Sequence, residues 1–322
     1  MSLTQMAERK DIFIDTTPFC FWGDHLSSDN TGFLKQVDSN YYFTMAGKLG
    51  AAFEEDQPTA ILIRLLYGQA LECLFAFLSA YIQSPHYIIG WLNKYRNDHL
   101  RACVMKLDQG SRLPTMFKGT FHGWDDVSRQ INSYFPPDKR PALIEGYALL
   151  WTNLAREFLN EDLQCEYNSL KHGGRVIPGG MHLSIGTEHE FGVSPPDSEM
   201  HPLGGSDYGS TYYVPEKIGR RDKADNLLVH EHTRNWNPAN LLGRLCLISF
   251  SLNNIVSACR IANGEAPEEL RFTNPSRMVP FEEVSSDIPG VLGWQRHGSV
   301  SSEAFSGHLH GLLDVEYAYS LE

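Results

Sequence analysis

The most chemically suggestive part of the sequence is the string EYNSLKHGGR at residues 166–175. Asn168 and His172 are four residues apart, so on a helix they would share one face and could contact one ligand. Lys171 and Arg175 add cationic donors nearby. A helix C-terminus favours the protonated imidazole, so His172 is suited to act as an acid or a base near neutral pH. The string therefore predicts a binding or catalytic site for an anionic ligand.

This string resembles the RNxxxH form of the Rx4-6H motif in the HEPN-like family of helical-bundle domains. Asn168 and His172 match that motif, whereas Tyr167 stands where the family has arginine. A phenol offers one neutral hydrogen bond in place of a charged, bidentate guanidinium. Arg175, in the following turn, is the candidate substitute for the missing cation.

The resemblance implies a function in binding RNA, a nucleotide or a protein partner through the Asn168/His172 helix end. It also implies a degenerate, metal-independent ribonuclease that needs no cofactor. In such an enzyme His172 would be the acid and base, Asn168 would position the substrate, and Lys171 or Arg175 would hold the phosphate. Tyr167 and Lys171 would contact the substrate. The family's site lies between paired bundles, so the resemblance also implies a homodimer.

The same residues have a purely structural interpretation, in which the protein is a non-catalytic scaffold. Tyr167 would then pack against a neighbouring element, and Asn168 would cap the helix or bind a loop. Lys171 and His172 would only complement the helix dipole. Whether the protein is an enzyme therefore stays open at this point.

Histidines in the region after residue 175 suggest a different class of function. His230 and His232 are two residues apart, and on a strand both would point to the same side. His182 or His189 from a neighbouring strand could complete an open metal site. The alternative hypothesis is therefore a metal-dependent enzyme that uses His182, His189, His230 and His232.

Hydrophobic periodicity and end signals predict the elements that would carry these residues. The longest predicted helix runs over 141–170 and ends at Gly173 and Gly174. The other predicted helices cover 40–53, 58–82, 85–108, 124–134 and 237–264. The 61–82 stretch is long enough to cross a bilayer, but Arg64 and Glu72 favour a helix buried in a protein core.

Short β-rich strings between residues 175 and 236, namely MHLSIG, GSTYYVP and NLLVHEH, predict a small antiparallel insertion. The predicted fold class is therefore mainly α, an all-α helical bundle with a small antiparallel β insertion and irregular N- and C-terminal segments. The predicted organisation is an irregular segment with one helix over 1–57, a bundle over 58–264 interrupted at 175–236, and an irregular segment over 265–322.

Composition limits the classes of partner. The chain has 322 residues, of which 42% are hydrophobic, enough for a sizeable core. Its 27 basic and 39 acidic residues leave a formal charge of -12, which argues against broad DNA binding. The six cysteines form no CxxC pair and the N-terminus shows no secretory signal. We expect a cytoplasmic protein that does not enter the membrane.

Overall fold

The computed structural model describes residues 7–52, 56–217 and 227–275, and the backbone of residues 293–296. These residues form two compact units. The first unit contains the described residues of Met1–Lys171 and Asn237–Pro289, and the second contains those of His172–Trp236 and Gly290–Glu322.

The first unit consists of a β-hairpin and a set of packed helices. The hairpin strands are β1 (Glu8–Ile14) and β2 (Thr17–Gly23), which pair antiparallel. The helices are α1 (Leu26–Gln36), α2 (Tyr41–Gly50), α3 (Gln57–Gln83), α4 (Ile88–Lys94), α5 (Asn97–Asp108), α6 (Trp124–Ile131), α7 (Arg140–Leu159), α8 (Glu161–Lys171) and α9 (Pro238–Ala262).

The second unit is built from short antiparallel strands. They are β3 (Val176–Pro178), β4 (His182–Ile185), β5 (His201–Gly205), β6 (Gly209–Lys217), β7 (Leu227–Asn235) and β8 (Gly293–Arg296). Strands β3, β6, β7 and β8 form one sheet in that order, and β4 pairs with β5 in another. The three strings MHLSIG, GSTYYVP and NLLVHEH thus do form strands.

Helices α3 and α9 form the centre of the first unit, and side-chain caps explain where both begin. The Asp56 carboxylate accepts a hydrogen bond from the Thr59 amide at 3.2 Å, and a proline follows in the first turn. The Asn237 side chain accepts bonds from the amides of Ala239 and Asn240, again followed by proline. The start of α9 was predicted from Asn237 and its proline, whereas that of α3 was predicted from Pro58 and Thr59 and not from Asp56.

Both central helices are long and apolar enough to cross a membrane by length and composition. The most apolar 18-residue window of each helix is mostly buried inside the protein, 61% of it in α3 and 67% of it in α9. Such burial is typical of the core helices of a globular protein, which pack all round rather than along one stripe. The cytoplasmic location stays a prediction.

The prediction of one long helix over 141–170 is wrong, because the helix is interrupted at Asn160. This residue has an extended backbone (φ -67°, ψ 124°) that ends α7, and its side chain accepts a hydrogen bond from the Leu163 amide at 3.1 Å. The predicted 85–108 helix is likewise split, at the extended residue Tyr95, into α4 and α5. Hydrophobic spacing continues through both breaks, so periodicity alone does not detect them.

The mainly α, all-α fold class is also wrong. Of the described residues, 54% are helical and 19% lie in strands that form three small antiparallel sheets, so the fold is mixed α/β though mainly helical. The N-terminal segment is not irregular, since it holds the β1–β2 hairpin and two helices. Its hairpin turn carries no glycine, and Asp15 itself takes the positive φ of 53°.

The predicted irregular C-terminal segment is described only in part. Residues 265–275 contain one short 3-10 turn, Pro267–Glu269. The backbone of Gly293–Arg296 pairs with β7. The rest of the predicted 265–322 segment lies outside the described residues.

The cap at Asn160 gives a first testable prediction. Asn160→Ala should lower the free energy of unfolding by about 1 kcal/mol, the usual loss when a helix N-cap side chain is removed. Asn160→Asp keeps an acceptor for the Leu163 amide and should unfold like the wild type in urea. Equal destabilisation by both variants would contradict the capping role.

Candidate functional site

A cavity of about 100 Å³ lies within the first unit, where α3, α5, α7 and α8 meet. Most of its lining is apolar, with polar groups among it. The lining residues are Arg64, Tyr67, Gly68, Leu71 and Glu72 of α3, Asn97 and Arg101 of α5, Glu157 and Phe158 of α7, and Leu163, Gln164, Tyr167, Asn168, Leu170 and Lys171 of α8. Three residues predicted from the sequence, Tyr167, Asn168 and Lys171, therefore line one cavity.

A buried ion pair attaches α8 to α3 beside this cavity. The Arg64 guanidinium donates two hydrogen bonds to one carboxylate oxygen of Glu166, at 2.5 and 3.2 Å. The Arg64 side chain is 10% exposed and that of Glu166 is fully buried. Burial alone would lower the pKa of Arg64, but the Glu166 carboxylate outweighs it and the pKa is raised. Arg64 therefore keeps its positive charge, and the Glu166 carboxylate balances that charge.

Tyr167 is held by three contacts. Its hydroxyl donates a hydrogen bond to the Glu72 carboxylate at 3.2 Å. Its ring packs against α3 at Gly68, where an added β-carbon would overlap three ring atoms. The Lys171 ammonium lies 5.5 Å from the ring centroid. Burial, reinforced by Glu72, raises the pKa of Tyr167, so the phenol is neutral at physiological pH.

A second hydrogen-bonded cluster lines the buried side of the cavity. The Tyr67 hydroxyl, on a fully buried side chain, donates to the Glu157 carboxylate at 2.6 Å. Arg244 of α9 donates to the other oxygen of Glu157 and to the Tyr67 hydroxyl. Burial raises the pKa of Tyr67, and the Glu157 carboxylate adds to the rise. The Glu157 charge is thus already paired inside the protein.

Arg101 is a cation without a carboxylate partner among the described residues. Its guanidinium donates to the carbonyl oxygens of Phe158 and Leu159, at 2.9 and 2.8 Å. These carbonyls end α7, where cations are favourable. Lys171 is also only weakly paired, since its ammonium lies 3.9 Å from Glu72 and half of its side chain is exposed.

Three carboxamide side chains line the same cavity without using their hydrogen-bonding groups. Asn97 begins α5, and Gln164 and Asn168 lie one turn apart on α8. None of these amides bonds to another residue within the described part of the chain. Each offers a donor and an acceptor to an incoming molecule.

The lining of the cavity carries a small excess of positive charge. It holds three cations, Arg64, Arg101 and Lys171, against two carboxylates, Glu72 and Glu157. This balance contrasts with the formal charge of -12 for the whole chain. A ligand with one anionic group would therefore be favoured here over a cation.

His172 and Arg175, predicted as catalytic residues, are not in this cavity lining. Helix α8 ends at Lys171, so His172 lies in the turn that follows the helix and not in the helix itself. Both residues belong to the second unit and both are exposed. Their catalytic role stays a prediction.

The histidines of the alternative metal hypothesis are each engaged separately in the second unit. His182 contacts Asp207 at 2.9 Å, His189 contacts Glu199 at 2.6 Å, and His230 contacts Glu216 at 2.7 Å. His232 stacks on Tyr212, with ring centroids 5.4 Å apart. His230 and His232 do share the side of β7 that is buried. Among the residues that the structure describes, no three metal-ligating side chains come together.

Sequence reasoning missed the part of the site that comes from α3. Arg64, Gly68 and Glu72 are spaced four residues apart and so lie on one face of that helix. In the sequence, Arg64 and Glu72 were noticed only as charges that disfavour a membrane span. Polar and small residues at this spacing within an apolar helix were the available signal for a shared surface.

The Arg64–Glu166 pair gives a second prediction. Arg64→Met and Glu166→Met should each lower the free energy of unfolding by about 3 to 5 kcal/mol, because each leaves the other charge buried and unpaired. The double variant should lose clearly less than the sum of the two, as measured by urea unfolding of all four proteins. Additive losses would show that the two charges do not interact.

No protein-family model, curated protein or solved structure matches this chain. The geometry of the cavity is therefore the basis for assigning a function.

Proposed function

We propose that the cavity binds a nucleotide unit, either free or within single-stranded RNA. The observation that carries the proposal is the combination of aromatic lining, three unused carboxamides and the weakly paired cation Lys171 on one cavity. Flat aromatic side chains favour a planar ring, carboxamides match the donor and acceptor edges of bases, and cations favour phosphate. RNA or nucleotide binding was also what the Asn168 string suggested.

The size of the cavity defines which part of the ligand it can hold. A cavity of about 150 Å³ encloses a single benzene ring, and drug-sized ligands need roughly 300 Å³ or more. At about 100 Å³, this cavity is smaller than that and takes the edge of one base, not a whole base or nucleotide. The polar edge of the base would enter, and the rest of the base, the sugar and the phosphate would stay outside.

The exposure of the lining residues supports the same orientation. Tyr67 and Arg64, on one side, are buried, whereas Asn97, Asn168 and Lys171 are exposed. A phosphate outside the cavity could therefore reach the Lys171 ammonium without desolvating it. On binding, Lys171 would exchange its long contact with Glu72 for a charge-assisted hydrogen bond.

The wider proposal keeps the expectations of a cytoplasmic homodimer without a cofactor. The dimer rests on the HEPN-like resemblance, and the described contacts within one chain do not bear on it. A protein partner in place of RNA, or a metal-dependent activity of the second unit, would be the competing functions.

Removal of Lys171 tests the proposed phosphate contact. Lys171→Ala should weaken the binding of AMP and of a short single-stranded RNA by about tenfold at low salt, since a hydrogen bond to a charged group contributes about 1.5 kcal/mol or more. Isothermal titration calorimetry measures both affinities. Lys48→Ala removes the same charge from an exposed position on α2 and should change neither.

A glycine pair supplies a control for the shape of the cavity. Gly68→Ala would displace Tyr167 and should also weaken AMP binding, whereas Gly243→Ala on α9 meets no atom within 4 Å and should not. Absence of nucleotide binding by the wild type would refute the proposal.

Equal effects of Lys171→Ala and Lys48→Ala on binding would refute the assigned phosphate contact.

The ribonuclease activity implied by the resemblance needs a separate measurement. His172→Ala and Arg175→Ala should abolish cleavage of single-stranded RNA in EDTA, because the imidazole would move the proton and the guanidinium would hold the phosphate. Their melting temperatures should stay near the wild-type value, since both side chains are exposed. Cleavage that persists in both variants would rule out these catalytic roles.

A further inference from the structure

We infer that Asn97, Gln164 and Asn168 determine which base the cavity accepts, by hydrogen bonding to the polar edge of that base. This inference rests on the proposed nucleotide binding and adds its specificity. Two of the three residues, Asn97 and Gln164, were not singled out from the sequence.

The three amides come from two helices, α5 and α8, that both border the cavity. Gln164 and Asn168 are four residues apart on α8, so their side chains are neighbours on one face. Asn97 is the first residue of α5, whose Arg101, one turn further, also lines the cavity. A flat group entering between these helices would meet carboxamides from both.

Apart from Lys171, the other polar side chains of the cavity are already hydrogen bonded within the protein. Arg64 is bonded to Glu166, Glu157 to Tyr67 and Arg244, and Glu72 to Tyr167. Arg101 uses its guanidinium on the carbonyls that end α7. The carboxamides are therefore the neutral groups that remain to pair with a ligand.

Carboxamides discriminate among bases because each presents one donor and one acceptor side. Bases differ in the order of donors and acceptors along their edges, and Asn and Gln form paired hydrogen bonds with the one that matches. A base with the wrong order would leave the polar atoms of its own edge unpaired against a largely apolar lining, which disfavours its binding. Apolar replacements of the amides should remove this preference and leave the phosphate contact intact.

The test uses the full-length protein and its variants Gln164→Met, Asn97→Leu and Asn168→Leu, which keep the side-chain volume close to the original. AMP, GMP, CMP and UMP are titrated against each, together with ribose 5-phosphate, which has no base. We expect the wild type to prefer one base over the weakest by at least about tenfold, in line with a paired base contact. In Gln164→Met this ratio should fall below about threefold, with the affinity for ribose 5-phosphate unchanged.

The possible failures are distinct. If no nucleotide binds, the proposed function itself is wrong, and the inference falls with it. If nucleotides bind but the wild type does not discriminate among bases, only the inference is wrong. Uniform weakening of all ligands by the three variants, ribose 5-phosphate included, would likewise overturn it. If Gln164→Met does not fold, the same ratio measured for Asn168→Leu, at an exposed position of α8, decides the question.

Discussion

The buried ion pair between Arg64 and Glu166 is the constraint on which the candidate site depends. Two charges removed from water are tolerated only when they meet each other in good geometry, so the pair allows little freedom in how α8 lies on α3. Tyr167 follows Glu166 directly, and Asn168 and Lys171 lie within the next two turns. Fixing one buried carboxylate therefore fixes every α8 residue that lines the cavity.

The break at Asn160 is what allows α8 to meet that constraint. A single helix over 141–170 would continue along the axis of α7, but the extended backbone at Asn160 lets α8 take its own direction. The Asn160 side chain then caps the new helix through the Leu163 amide. The corner also leaves the last carbonyls of α7 available, and Arg101 bonds to them beside the cavity.

How far the sequence predicts this protein depends on whether a feature is local. The cap at Asn237 predicts the start of α9, because the capping side chain and its amide partners are neighbours in the chain, and Pro58 and Thr59 predict the first turn of α3. The sequence does not predict the interruption at Asn160 or the turn at Asp15, because neither disturbs the apolar spacing nor uses glycine or proline. The α8 half of the site was predicted from the string at residues 166–175. Arg64 contacts Glu166 from 102 residues away in the chain, and only the packed fold shows that contact.

Helix α3 is unusual as a core helix in a way that the site explains. Its centre is buried and apolar, yet one face carries a cation, a glycine and a carboxylate at positions 64, 68 and 72. The cation and the glycine are unfavourable there, since a buried charge needs a partner and glycine costs a helix about 1 kcal/mol relative to alanine. Each of the three residues has a partner on α8, respectively Glu166, the ring of Tyr167 and its hydroxyl. Three residues that are unusual within an apolar helix thus lie on one face and meet the same partner helix, and the cavity lies beside that contact.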